Sequence, residues 1–247
     1  MNVYDYGRLS SLDVVSQMKP FLDDGSYYLR DDGKIDSARR MSPDSPWIFV
    51  KHAPNKECHL WHGIYFQVFG IIPSPCHECW KVVLRPWTLQ DLMRVYNLQK
   101  KMDEPAKCGI ERRLSVFGSY GAYWYANSVE EGRHRWVQVV SAMEDLGIQC
   151  NAILKRGCTE FELTKGPSDE WEITEDQIRL ENVLNNAFVR DVVVQTQPDH
   201  VRAAIFRSWV HHAYSVGDET YRMFLRDGQE LFRKVVEYQI EKGSNNG

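Results

Sequence analysis

Two segments decide the fold: KVVLRPWTLQDLMRVYNLQKKM, residues 81–102, and ERRLSVFGSYGAYWYANSVEE, residues 111–131. Residues 81–85 form a short β-branched run that reads as a strand. Thr88 is placed to cap a helix reaching about residue 102, with Leu89, Leu92, Met93 and Tyr96 on one face. Residues 111–117 read as a second strand, 118–121 as a turn, and 122–126 as a third strand that completes a hairpin. Ser128 and Glu131 make an S-x-x-E capping box. The helix they start carries Trp136, Val139, Val140 and Met143 inward and stops at Gly147. Residues 151–156 supply a fourth strand.

The resulting order is β-α-β-β-α-β, which predicts an α+β chain with a ferredoxin-like central domain. Right-handed crossovers put the third strand between the first and second, and the fourth beside the first. Three regions follow from this reading: residues 1–73 with strands and loops packed on the sheet, residues 74–160 as the ferredoxin-like domain, and residues 161–247 as a mostly helical region. In the first, residues 11–22 read as a helix, 47–51 and 64–72 as strands, and 23–46 as turns and loops. In the last, Thr174 and Gln177 form a second capping box, residues 191–196 read as a strand, and helices are expected from Asp199 to near Gly217, over 218–225 and over 229–242.

The chain has 247 residues, 43% of them hydrophobic, so it can bury a core without disulfide staples. A net charge of −4 argues against a strongly basic nucleic-acid binder. The first residues lack a signal-peptide pattern, and no apolar run is long enough to span a membrane. A cytoplasmic setting is therefore expected, in which the six cysteines stay reduced as free thiols, metal ligands or catalytic groups.

Cys76-His-Glu-Cys79 is the sharpest chemical signal. A C-x-x-C turn directs two thiolates to one point, as zinc and iron–sulfur sites require. It precedes a strand rather than a helix, which weighs against a thioredoxin-like redox pair. The predicted topology extends the site. Cys79 stands before the first strand, Cys108 before the second and Cys158 after the fourth, so all three project to one rim with Cys76. Cys58 competes with Cys158 for the fourth place, and His59, His62 and His77 are further possible donors. Cys150 falls at the opposite edge and reads as a structural thiol. Four thiolates suit a [4Fe–4S] cluster or Zn²⁺, and the wide spacing favours the cluster.

Three functions fit these residues. The first is a metal-binding protein with a structural or electron-transfer role beside a macromolecular, most simply protein, partner. The second is an iron–sulfur enzyme with an open cluster position for substrate. The third is a zinc-stabilised nucleic-acid module using Tyr120, Tyr123, Tyr125, Arg133 and Arg135 as an aromatic and basic face. Glu160 and Glu162 read as a same-face pair on a short strand. Phosphate-loop, dinucleotide-binding, H-E-x-x-H and nucleophile-elbow motifs do not occur.

Overall fold

The computed structural model describes residues 10–38, 45–51, 57–190, 197–232 and 236. It is a mixed α+β structure with two antiparallel sheets. Strand β1 (Tyr27–Leu29) pairs with β2 (Ile35–Ser37) in the smaller one. The larger contains β3 (Trp47–Lys51), β4 (Trp80–Leu84), β5 (Ala106–Ile110), β6 (Tyr120–Ala126) and β7 (Ala152–Arg156). Its spatial order is β3-β5-β6-β4-β7, with every neighbour antiparallel. Thus β6 lies between β5 and β4, β7 flanks β4, and β3 extends the sheet beyond β5.

Alternation along the strands gives the sheet two different faces. Val82, Leu84, Ala106, Cys108, Ala122 and Trp124 point into the main core. The helices α4 (Leu89–Met102), α5 (Val129–Leu146) and α8 (Asp199–Ser215) cover this side. Local chemistry sets where these helices begin. The Thr88 hydroxyl accepts from the Asp91 N–H at 3.1 Å, and the Ser128 hydroxyl from the Glu131 N–H at 3.1 Å. The Glu131 carboxylate accepts from the Asn127 N–H rather than closing a reciprocal box on Ser128. Gly147 ends α5 in the left-handed conformation at φ 64°.

Lys81, Val83, Lys107, Tyr123 and Tyr125 have the opposite parity and face a second layer. That layer has its own apolar core, built from α1 (Ser11–Asp23), the β1–β2 hairpin, α2 (Cys58–Leu60) with the π-helical segment Trp61–Phe66, α6 (Thr159–Lys165) and α7 (Glu175–Ala187). The short helix α3 (Ser74–His77) leads from it back into β4.

Several expected elements differ. The second strand is Ala106–Ile110, not residues 111–117, because the apolar positions after Ile110 are too few to hold a ladder and Leu114 and Phe117 are exposed. Residues 64–72 form π-helix and turn instead of a strand, since a short apolar run is ambiguous without its tertiary partners. Residues 27–37, read as loop, make the small hairpin. Glu160 and Glu162 lie on helix α6, so they do not share a strand face. They pair instead with Arg113 and Lys155. The Thr174 cap forms at 3.2 Å, but Gln177 spends its amide on the Ile72 carbonyl and Glu181. Residues 219–224 are a 3-10 helix, and 229–232 are not helical. The expected strand at 191–196 and most of the helix at 229–242 lie outside the described residues.

The outer strand β3 is held by side chains. Gln197 accepts from the Phe49 N–H at 2.8 Å and donates to the Trp47 carbonyl at 2.8 Å, satisfying two backbone groups of the strand. Trp209 donates its indole N–H to the Pro46 carbonyl at 2.9 Å. Gly109 permits the approach, since a Cβ there would stand 2.0 Å from the Pro46 carbonyl oxygen. Gly109→Ala is therefore expected to lower stability by about 1–3 kcal/mol or more, read as a lower urea midpoint with an unchanged denaturant slope.

Candidate metal and ligand site

A cavity of about 320 Å³ lies between the second face of the sheet and the second layer. Cys58, Cys76, Cys79 and Cys158 all line it. They come from four places: the start of α2, the middle of α3, the residue before β4 and the residue ahead of α6. The antiparallel pairing of β4 with β7 brings Cys79 and Cys158 to the same end of the sheet. Trp80 pairs with Arg156, and one step further the Gly157 N–H donates to the Cys79 carbonyl at 2.7 Å. Gly157 then turns the chain at φ 59°, where a Cβ would meet the Trp171 ring at 2.7 Å.

Buried polar groups hold the C-x-x-C turn. The Ser74 N–H and hydroxyl both donate to the Glu181 carboxylate, at 2.9 and 3.0 Å. The Arg156 guanidinium donates to the His77 carbonyl on one side and the Ser168 carbonyl on the other. Lys81 sits beneath the thiols, with its ammonium donating to the Gly157 carbonyl at 2.9 Å and lying 3.1 Å from the Cys158 sulfur.

All six cysteines are free thiols. Burial, then the neighbouring Cys79, pushes the Cys58 thiol up to about 12. Burial raises Cys76 and Cys79 as well, with the surrounding thiols adding to it. Without a bound metal the Cys58, Cys76 and Cys79 thiols keep their protons at neutral pH, and a bound metal would displace them. Among the described residues, no three Cys, His, Asp or Glu side chains form a group that could hold a single metal ion.

Cys108 does not join them. It sits in mid-strand opposite Ala122, fully buried on the other face of the sheet. The early start of β5 explains this, because it moves Cys108 from before the strand into it. Cys150 is half-buried against the main core. His62 lines the cavity, its Nε2 3.9 Å from Glu160, and burial holds it below the usual histidine range. His77 borders a separate cavity of about 280 Å³ behind the turn.

The expected base-stacking face is not assembled. Tyr120 points to the main core and donates to Asp218 at 2.8 Å, whereas Tyr123 and Tyr125 point to the cavity. All three are buried. Arg133 is exposed on α5, and Arg135 is buried between Glu104 and Glu131, both at 3.0 Å. Alternation along β6 separates the tyrosines, so three aromatic residues close in sequence face two cores.

Tyr123 belongs instead to a network at the cavity wall. Its hydroxyl accepts from Arg85 at 3.0 Å and Arg113 at 2.8 Å, and donates to Glu111 at 2.8 Å. Arg113 also holds Glu111 through Nε and the same Nη2, and reaches Glu160 through Nη1 at 2.8 Å. Glu111, Lys81 and Lys107 were not expected as site residues from the sequence, and Arg113 was read only as part of a basic face. The one available signal was the strict alternation of KVV and YWY, which aims Lys81, Tyr123 and Tyr125 the same way.

No protein-family model, curated protein or solved structure matches the chain.

Burial pushes the Glu111 carboxyl up, but hydrogen bonds from Arg113 and Tyr123 outweigh it and leave it below its ordinary value of 4.5. A depressed carboxyl stabilises the fold above its unfolded value, and that contribution is lost as pH falls through the folded one. Stability should therefore drop below pH 4.5. In Glu111→Gln the drop should be shallower, measured as urea midpoints at about pH 7 and about pH 3.5. Parallel pH profiles for both proteins would contradict this role for Glu111.

Proposed function

We propose that Cys58, Cys76, Cys79 and Cys158 hold a [4Fe–4S] cluster, and that the cluster forms one wall of a small-molecule cavity. Convergence of these four thiols on one cavity carries the reading. Their sequence positions span 100 residues, from Cys58 to Cys158, and chance core packing gives no reason for four thiols to share one space.

The cavity itself favours a cluster over zinc. A tetrahedral zinc site draws four sulfurs to about 2.3 Å from one ion and leaves no room between them. A cubane needs room between its ligands, and the thiol end of a cavity of about 320 Å³ offers that. Lys81 supplies a positive charge beside Cys158, suited to the excess negative charge of a thiolate-bound cluster. Trp61 and Phe161 complete an apolar lining that limits solvent at the thiol end.

We read the central β-α-β-β-α-β unit as ferredoxin-like, with β3 added at its edge. The strand order β5-β6-β4-β7 supports this reading. A reducing compartment such as the cytoplasm suits six free thiols. Among the described residues no helix is long and apolar enough to cross a membrane.

The polar wall beside the thiols favours the enzyme reading over a purely structural cluster. A structural cluster at the thiol end has no use for the polar remainder of the same cavity, lined by Lys107, Glu111, Arg113 and Tyr123. Purification without oxygen, followed by iron and sulfide analysis after reconstitution, tests the proposal. The expected content is about four iron and four sulfide per chain, with a broad visible band. Cys76→Ser and Cys79→Ser should lose most of the iron, whereas Cys108→Ala and Cys150→Ala should keep it. Equal iron in all four variants, or stoichiometric zinc in the native protein, would overturn the assignment.

A further inference from the structure

The charges along the cavity do not balance evenly. Four cations, Lys81, Lys107, Arg112 and Arg113, line it against two carboxylates, Glu111 and Glu160. Arg113 takes both carboxylates. Lys81 is committed to the Gly157 carbonyl and the Cys158 sulfur. Arg112 is exposed to solvent. Lys107 is left on the cavity wall, with no hydrogen bond or ion pair to its ammonium among the described residues.

What surrounds Lys107 is aromatic. Its ammonium lies 4.6 Å from the centre of the Trp47 ring and 5.3 Å from that of Tyr123. Ring faces attract a cation but bring no opposite charge. A partly desolvated ammonium without a counter-ion is an unfavourable arrangement that an anion entering the cavity would relieve. Burial first, and Lys81 next, pull Lys107 down to about 8, which is the same imbalance seen as a proton affinity.

We propose that the Lys107 end of the cavity binds the carboxylate of a small organic acid, the substrate facing the cluster. This inference rests on the cluster reading for the opposite wall. A carboxylate fits better than a phosphate. Phosphate sites gather several cationic or backbone N–H donors, often at a helix N-terminus. Here one unmatched ammonium faces the cavity, flanked by the Trp47 and Tyr123 rings in place of further cationic donors. The Trp47 and Tyr123 rings meet at 5.6 Å and 72°, giving an apolar wall for a planar body attached to the charged group.

The ammonium also lies on a stiff support. Lys107 is in mid-strand, with Phe49 on one side and Tyr123 on the other. Gln99, fully buried, donates to the carbonyls of Lys107 and Tyr123 at 3.1 and 3.3 Å. The network of Arg85, Glu111 and Arg113 fixes the Tyr123 hydroxyl. The charged group is thus positioned before any ligand arrives.

Calorimetric titration of the full chain with benzoate, with inorganic phosphate as comparison, tests the proposal. Iron and sulfide are assayed on the same samples. Benzoate should bind the native protein. Lys107→Met should weaken that binding by about tenfold or more, as expected for loss of a charge-assisted hydrogen bond. The variant should retain its iron and melt no lower than the native protein, because an unmatched, half-buried charge has been removed. Arg133→Met, at an exposed cation on α5 outside the cavity lining, should leave benzoate binding unchanged. Iron loading without benzoate binding, equal affinity in Lys107→Met, or tighter binding of phosphate would overturn the inference and leave the cluster standing. Lys107-dependent benzoate binding in a chain that takes up no iron would support the anion site and remove the cluster.

Discussion

The antiparallel pairing of β4 with β7 is the constraint on which the site depends. It brings the residue before one strand against the residues after the other, and the hydrogen bond from Gly157 to Cys79 continues the ladder past its regular end. Two cysteines 79 positions apart in sequence thereby meet at one end of the sheet. Lys81, one step inside the ladder, lies beneath both and touches Cys158. The second layer then brings Cys58 and Cys76 over the same space. Its α7 reaches the C-x-x-C turn through Glu181.

The two sheet faces divide the labour. One is apolar and packs on α4, α5 and α8, so it supplies most of the stability expected from buried area. The other bears two lysines and two tyrosines in the middle of a sheet. Placing such groups inside costs stability unless each finds a partner. Lys81 and Tyr123 have hydrogen-bond partners and the Tyr125 ring lies against the Lys81 ammonium, whereas the charge of Lys107 is unmatched, which is where the molecule departs from what stability alone would select. Exceptions of that kind concentrate where a ligand completes the arrangement.

Much of the framework was legible because its signals are local. Thr88, Ser128 and Gly147 punctuate α4 and α5 through backbone hydrogen bonding and a left-handed turn, which need no tertiary information. The convergence of Cys79 with Cys158 was also readable, since strand direction alone places them together. Cys108 was misplaced because its position hung on where a strand begins, and boundaries respond to packing that a single segment does not reveal. The π-helical segment was hidden for a similar reason. WHGIYFQVF is apolar enough for strand or helix, and only its burial among α1, α7 and Phe161 decides. The Glu111–Arg113–Tyr123 network joins residues whose spacing follows no motif, so it emerges only once β5 and β6 are paired.

Iron K-edge X-ray absorption on the full chain, reconstituted without oxygen, tests the central claim most directly. A cubane held by four thiolates predicts iron surrounded by sulfur alone, with a second shell of iron neighbours at the spacing of a cluster. A shell of nitrogen or oxygen, iron without iron neighbours, or no retained iron would contradict the account. In that case the four thiols would be an unmetallated lining of the cavity.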